Sequence, residues 1–221
     1  MDPVHRPGGT VFLHRLGPGD VDGNGLIGQA WTVLGLSHAF RVLGWEELRQ
    51  AAEHNLISHP FDPQLGSWSS QTLTGMSMGV NVTLNQQVWF AAAAASLASP
   101  PAILSERLSG FLTRLSNHVC QHNGGLIAHL VSPLRMIHRF PVGIRSSLRS
   151  WMAPGFKPVD LAVGYHSFVL HGLAMLHQAR PAEPYWDSRS LKAALAARTS
   201  EPIFRSLDRN QLAYGYNPTG I

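Results

Sequence analysis

Four carboxylates fall in the long connections 8–27, 57–84 and 120–164 of this chain: Asp20, Asp22, Asp62 and Asp160. Glycoside hydrolysis uses two carboxyl groups about 5–9 Å apart across the scissile bond. The sequence therefore offers Asp20 or Asp22 with Asp62 or Asp160, and Asp22 with Asp62 is the expected catalytic pair. Taken singly, each also suits a turn or a helix cap. Glu46, Glu47, Glu53 and Glu106 sit on stretches of amphipathic helical spacing and read as solvated. Elimination or epimerisation of a sugar needs other parts: a base and an acid such as His or Tyr, with an amide or guanidinium near the developing negative charge. Asn85, His129, Tyr165 and His166 supply those types. Tyr165 and His166 are adjacent on an expected helix and point about 100° apart, so one of the two faces a cavity. A core or capping role is the alternative for either histidine.

Other chemistries find little support. Asp20-Val21-Asp22-Gly23-Asn24-Gly25-Leu26-Ile27 matches the opening of a calcium loop, but its twelfth position is Trp31 instead of the bidentate Glu. The segment reads as a polar turn that caps a helix and leaves Asp20 or Asp22 in reach of a substrate. No HExxH is present and Cys120 is a lone cysteine, so no metal or other cofactor is expected. His166, His171 and His177 contain no i,i+4 pair. Gly75-Met76-Ser77-Met78-Gly79 lacks the strand before and the helix after that a hydrolase elbow needs. Arg135, His138, Arg139, Arg145 and Arg149, with Phe140 and Trp151, form a basic stretch. Without a nucleic-acid module pattern it reads as a solvated loop, and no nucleic acid partner is expected.

These residues are placed by three strongly apolar segments. Gly28-Gln29-Ala30-Trp31 opens the first, Asn85-Gln86-Gln87-Val88-Trp89-Phe90 the second and Tyr165-His166-Ser167-Phe168 the third. Helices apolar all round are buried. Each is followed by a punctuating Gly or Pro and then an amphipathic stretch, so the unit is a buried helix, a turn and a half-exposed helix. Helices are predicted over 26–43, 46–56, 85–99, 102–119, 165–178 and 188–198, with no sheet beyond short ribbons. The long connections 8–27, 57–84 and 120–164 all precede buried helices. Their ends should gather on one rim, where helix N-termini present free N–H groups to an oxygen-rich ligand. Asp22, Asn85 and Tyr165 are expected to share a polar pocket there.

The 221 residues are 44% hydrophobic and only 14% charged, which excludes global disorder. A net charge of +4 rests on 15 Arg against 2 Lys. Thirteen carboxylates among 221 residues leave few acid–base pairs to choose from. No apolar run reaches about 18 residues, so no membrane contact is expected. The N-terminus lacks an apolar signal core, and a cytoplasmic location is the expectation. The chain reads as a single domain, 1–221, with 1–19 as a loose N-terminal arm.

Paired inner and outer helices suggest an α/α toroid. The string Asn24-Gly25-Leu26-Ile27-Gly28-Gln29-Ala30-Trp31 resembles the helix openings of six-hairpin toroid proteins that act on carbohydrates. His59-Pro60-Phe61-Asp62, Leu65-Gly66-Ser67-Trp68, Asn85-Gln86-Gln87-Val88-Trp89-Phe90, Gly164-Tyr165-His166-Ser167-Phe168 and Tyr214-Gly215-Tyr216-Asn217-Pro218 extend the likeness over roughly 20–220, toward a group associated with polysaccharide gene clusters. The resemblance implies an all-α fold, a partial toroid of helical hairpins with its long loops on one rim. It implies a carbohydrate ligand held by Asp20, Asn24, Gln29, Trp68, Asn85, Gln86, His166 and Tyr216. Trp31, Trp68 and Trp89 would offer stacking faces if the cavity is open. About seven helices are countable where a complete toroid has twelve, so the chain is expected to be a short variant or a fragment. Its open flanks are expected to be covered by a second copy or a partner chain. The sequence also departs from the group at Gln86, where the likeness leads one to expect a His. Glycosidase-like hydrolysis leads, with polysaccharide lyase or sugar epimerase chemistry close behind. A non-catalytic helical scaffold or binding protein, and a toroid acting on isoprenoids, are the readings of other classes.

Overall fold

The computed structural model describes residues 3–6, 9–12, 25–131 and 158–198. Two compact units emerge. The first comprises Met1–Asn81, Gln86–Arg114 and Gln178–Arg180; the second comprises Val82–Asn85, Leu115–His177 and Pro181–Ile221.

In the first unit, strands β1 (Pro3–Arg6) and β2 (Gly9–Phe12) pair antiparallel. Helix α1 (Gly25–Leu43) follows. It ends at Gly44, whose φ of +69° suits glycine and whose N–H bonds to the Phe40 carbonyl. Helix α2 (Glu46–Ser58) carries Glu46 and Glu47 in its first turn, where the helix dipole favours anions. Arg49 pairs with both Glu46 and Glu53. Glu53, read from the sequence as solvated, is therefore a buried and paired carboxylate. The other end of α2 is held by Arg107, whose guanidinium donates to the Ile57 and His59 carbonyls at 3.0 and 3.1 Å. Strands β3 (Phe61–Asp62), β4 (Ser67–Gln71) and β5 (Ser77–Val80) form an antiparallel sheet in that order. Helices α3 (Leu84–Ala95) and α4 (Ala102–Thr113) complete the layer.

The second unit contains the short helix α5 (Leu115–His118), strands β6 (Val119–Gln121) and β7 (Ile127–Val131) paired antiparallel, helix α6 (Pro158–Ala179) and helix α7 (Arg189–Arg198).

The all-α class, with its partial toroid, is thus corrected to a mixed architecture: the described residues form three small antiparallel sheets as well as helices. The described parts of connections 57–84 and 120–164, read from composition as loops or short β ribbons, carry two of the sheets. The helices fall close to their predicted positions. The expectation that α1 is buried throughout holds for its N-terminal half alone, since Val42 and Leu43 are exposed beside Trp45.

The core of the first unit is aromatic. Trp68 has no exposed surface, and its ring meets those of Phe61, Phe90 and Phe111 at centroid distances of 4.9, 5.6 and 5.5 Å. Leu26, Leu56, Leu104 and Leu108 fill the space between the helices. Gln87 holds β4 to α3: its amide accepts from the Trp68 N–H at 3.0 Å and donates to the Trp68 and Asn81 carbonyls at 2.7 Å each. Replacing Gln87 by Leu keeps the volume but orphans a buried N–H and its carbonyl. The variant is expected to unfold about 2 kcal/mol more easily, read as a lower urea midpoint with an unchanged slope.

Candidate functional site

The second unit brings two of the sequence-selected residues into contact. Strands β6 and β7 are joined by the single 3-10 turn Asn123–Gly125. Gly124 and Gly125 hold φ of +82° and +88°, a region that glycine enters without steric cost. The pairing Gln121↔Ile127 fixes the register of β7, and the Val131 N–H bonds to the Val82 carbonyl at 3.0 Å on its other side. Ile127 and Val131 are buried. His129 lies between them, in the stretch of β7 where the pairing register with β6 shifts.

Across from it, α6 presents Tyr165. The His129 and Tyr165 rings stand 4.5 Å apart, centroid to centroid, at an interplanar angle of 31°. Phe168, one turn further along α6, lies 6.5 Å from the Tyr165 ring. Burial lowers the pKa of His129 to about 4, because the low-dielectric surroundings disfavour the imidazolium. At neutral pH the ring is therefore the free base. Its Nδ1 is withdrawn from solvent and finds no hydrogen-bond partner among the described residues. A buried ring nitrogen in that state is either an available acceptor or an N–H donor without a recipient.

His166 does something different. It is 1% exposed, accepts from the Ile127 N–H through Nδ1 at 3.1 Å, and donates from Nε2 to the Ala194 carbonyl at 2.9 Å. Because Nδ1 receives a backbone N–H, the proton of the neutral ring sits on Nε2. Proposed from the sequence as a ligand contact, His166 spends both nitrogens on β7 and α7.

The other candidates are dispersed. Asp20, Asp22, Asn24 and Tyr216 lie outside the described residues, as does the basic stretch from Arg135 to Arg149. The expected pocket of Asp22, Asn85 and Tyr165 therefore has one member outside them. Asn85 is buried at the start of α3. Asp160 falls near the start of α6. Asp62 folds its own turn, its Oδ1 accepting from the Gln64 and Leu65 N–H groups at 2.8 and 2.9 Å. Trp68 sits in the aromatic core, Trp89 is 8% exposed, and Trp31 is half-buried.

Gln29 and Gln86 serve the backbone. Gln29 accepts from the Phe12 N–H and donates to the Phe12 carbonyl, both at 2.8 Å, and also accepts from the Asn55 amide at 2.7 Å. Gln86 Oε1 accepts from the Leu26 N–H in the first turn of α1 and from Asn81 Nδ2, at 2.9 Å each. Gly25 makes that approach possible, since a Cβ there would lie 2.3 Å from Gln86 Oε1. Sequence reasoning did not single out Gln87, Asn55 or Asn81 as working parts. The available signal was the pair Gln86-Gln87 at the head of an Ala-rich, buried helix, where amides must find partners.

Among the described residues no group of three or more His, Cys, Asp or Glu side chains could hold a metal ion. No described helix is long and apolar enough to cross a membrane.

The chain is similar to archaeal glycosylation protein Q of Haloferax volcanii, with 31% identity over 229 residues. The match takes in 98% of this chain and 62% of that protein, so the chain spans less than two thirds of the relative's length. No family model and no solved structure matches it.

Proposed function

We propose that this chain acts on carbohydrate as part of a glycosylation process, and that His129 and Tyr165 carry a proton transfer on the sugar. The carbohydrate assignment is supported by the similarity to archaeal glycosylation protein Q along 98% of the chain. The reaction class is supported by one observation, the contact of the two titratable rings at 4.5 Å. An imidazole that is the free base at neutral pH can accept a proton from a ring carbon next to a carboxyl or carbonyl group. A phenol beside it, on the same side of the sugar, can give a proton to a leaving oxygen. That is lyase chemistry, which with sugar epimerisation stands closest to hydrolysis among the readings the residues allow. Hydrolysis would need a carboxylate pair. Of its candidates, Asp62 has its Oδ1 engaged in its own turn.

The test is turnover in D2O with uronate-containing oligosaccharides and nucleotide sugars. The expected result is deuterium on a ring carbon, or an unsaturated sugar product, with a loss of about 100-fold or more in His129→Gln and Tyr165→Phe. New reducing ends with no carbon-bound deuterium, undiminished in His129→Gln, would return the assignment to hydrolysis. Saturable sugar binding with no turnover would leave a binding protein.

A further inference from the structure

We infer that His166 is the positioning residue of the His129–Tyr165 pair: it locks the register of β7 against α6 and so determines that the two rings meet. The inference takes its catalytic meaning from the proton-transfer reading above, but its geometry stands apart from that reading. His166 and Tyr165 are neighbours on α6, while Ile127 and His129 are two residues apart on β7. The His166 Nδ1 bond to the Ile127 N–H, at 3.1 Å, and the ring contact of Tyr165 with His129, at 4.5 Å, are therefore successive rungs between the same two elements. A one-residue slip of β7 would turn His129 to the other face of the strand. The hydrogen bond at Ile127 opposes that slip, because a shifted strand would bring no N–H to Nδ1.

The second ring nitrogen braces the arrangement from behind. Nε2 donates to the Ala194 carbonyl, on a helix whose neighbouring carbonyl, Ala193, lies against Gly125 in the β6–β7 turn. Gln121 ties β6 to the approach of that helix by donating from its side chain to the Ser190 carbonyl at 2.7 Å. The imidazole is thus the point at which α6, β7 and α7 are held together, with both nitrogens used and 1% of the residue exposed. Such a buried, fully bonded ring fixes orientation and leaves the proton chemistry to its neighbour. That division resembles the way outer partners orient reactive groups in other sites.

The experiment is NMR on the full chain without any sugar. In the unsubstituted protein, a coupling across the hydrogen bond from the Ile127 amide nitrogen to His166 Nδ1 is expected, with His129 ring protons giving nuclear Overhauser contacts to Tyr165. In His166→Leu those contacts should be lost, and the His129 titration midpoint should rise by about one pH unit or more as the ring regains solvent. His166→Gln, whose amide can both accept and donate, should restore most of both signals. Absence of the coupling in the unsubstituted protein would overturn the inference even if the Leu variant fails to fold. So would unchanged His129 contacts and titration in a folded His166→Leu. If His129 responds as described while His129→Gln keeps full turnover, the positioning role stands and the catalytic assignment falls.

Discussion

Gly125→Ala is expected to lower the unfolding free energy by about 3 to 4 kcal/mol, whereas Gly124→Ala next to it should cost about 1 kcal/mol. Both glycines hold positive φ, +82° and +88°, so both substitutions incur the left-handed cost of a Cβ. They differ in what the Cβ meets. At Gly124 nothing lies within 4 Å. At Gly125 the new carbon would sit 2.3 Å from the Ala193 carbonyl oxygen and 2.7 Å from its carbon. Those are backbone atoms of α7, which cannot rotate aside as a side chain would, so the helix or the turn must move. Urea denaturation of the two variants side by side checks the difference. Equal losses would mean that α7 gives way freely and that its seat against the turn contributes little. A displaced α7 would also weaken the His166 bond to Ala194, so Gly125→Ala should disturb the His129 ring signals and Gly124→Ala should not.

Acid should destabilise the protein through His129 by about 3 kcal/mol between neutral pH and pH 4. The sign follows from which state binds the proton first. In the unfolded chain His129 titrates near the ordinary histidine value of 6.5, whereas in the fold burial holds it down to about 4. As pH falls through that window the unfolded chain takes up the proton and the folded one does not. The stability is fully present above about pH 6.5, declines down to about pH 4, and changes no further below that through this group. Eleven other histidines and the carboxylates add their own slopes. The measurement is therefore a difference: unfolding free energy at pH 7, 5.5 and 4 for the unsubstituted chain and for His129→Phe. The two curves should converge as the pH falls. Parallel curves would show that His129 is solvated in the fold.

The helices were legible because their signals are dense. The predicted 46–56 and 188–198 match Glu46–Ser58 and Arg189–Arg198, where a Gly or Pro punctuator precedes regular apolar spacing. The stretch 102–119 divides at Arg114, and 165–178 begins earlier, at Pro158, a residue suited to the first turn of a helix. The strands were legible only as short ribbons somewhere in the connections, without bounds or pairing. All five residues of Ser67–Gln71 are buried, so the period-two alternation that would betray a strand is missing, and their partners are brought in by turns and by Gln87. At the site, the types of His129 and Tyr165 stood out, but a contact between residues 36 positions apart in sequence, made by a five-residue strand, leaves no periodic trace. The resemblance between helix openings implies ligand contacts at Gln29 and Gln86, and in the structure both amides bond to backbone groups. A buried amide that satisfies a backbone and one that holds a sugar carry the same letter in the sequence.

The glutamines at Phe12 and Trp68 also imitate something larger than themselves. Each presents one acceptor and one donor to the N–H and carbonyl of a single strand residue, as the next strand of a sheet would do. A sheet of two or three short strands leaves free edges, and free edges recruit strands from other molecules into aggregates. At Phe12 the edge is already occupied by a side chain from the following helix. The two-stranded sheet is thereby closed at Phe12 by a carboxamide where other proteins use bulges, prolines or charges, whereas Gln87 does the same for a residue of the central strand β4. Loss of Gln29 would accordingly be felt twice, as a lower melting point of the isolated molecule through the orphaned Phe12 groups, and at high concentration as self-association through the uncovered edge.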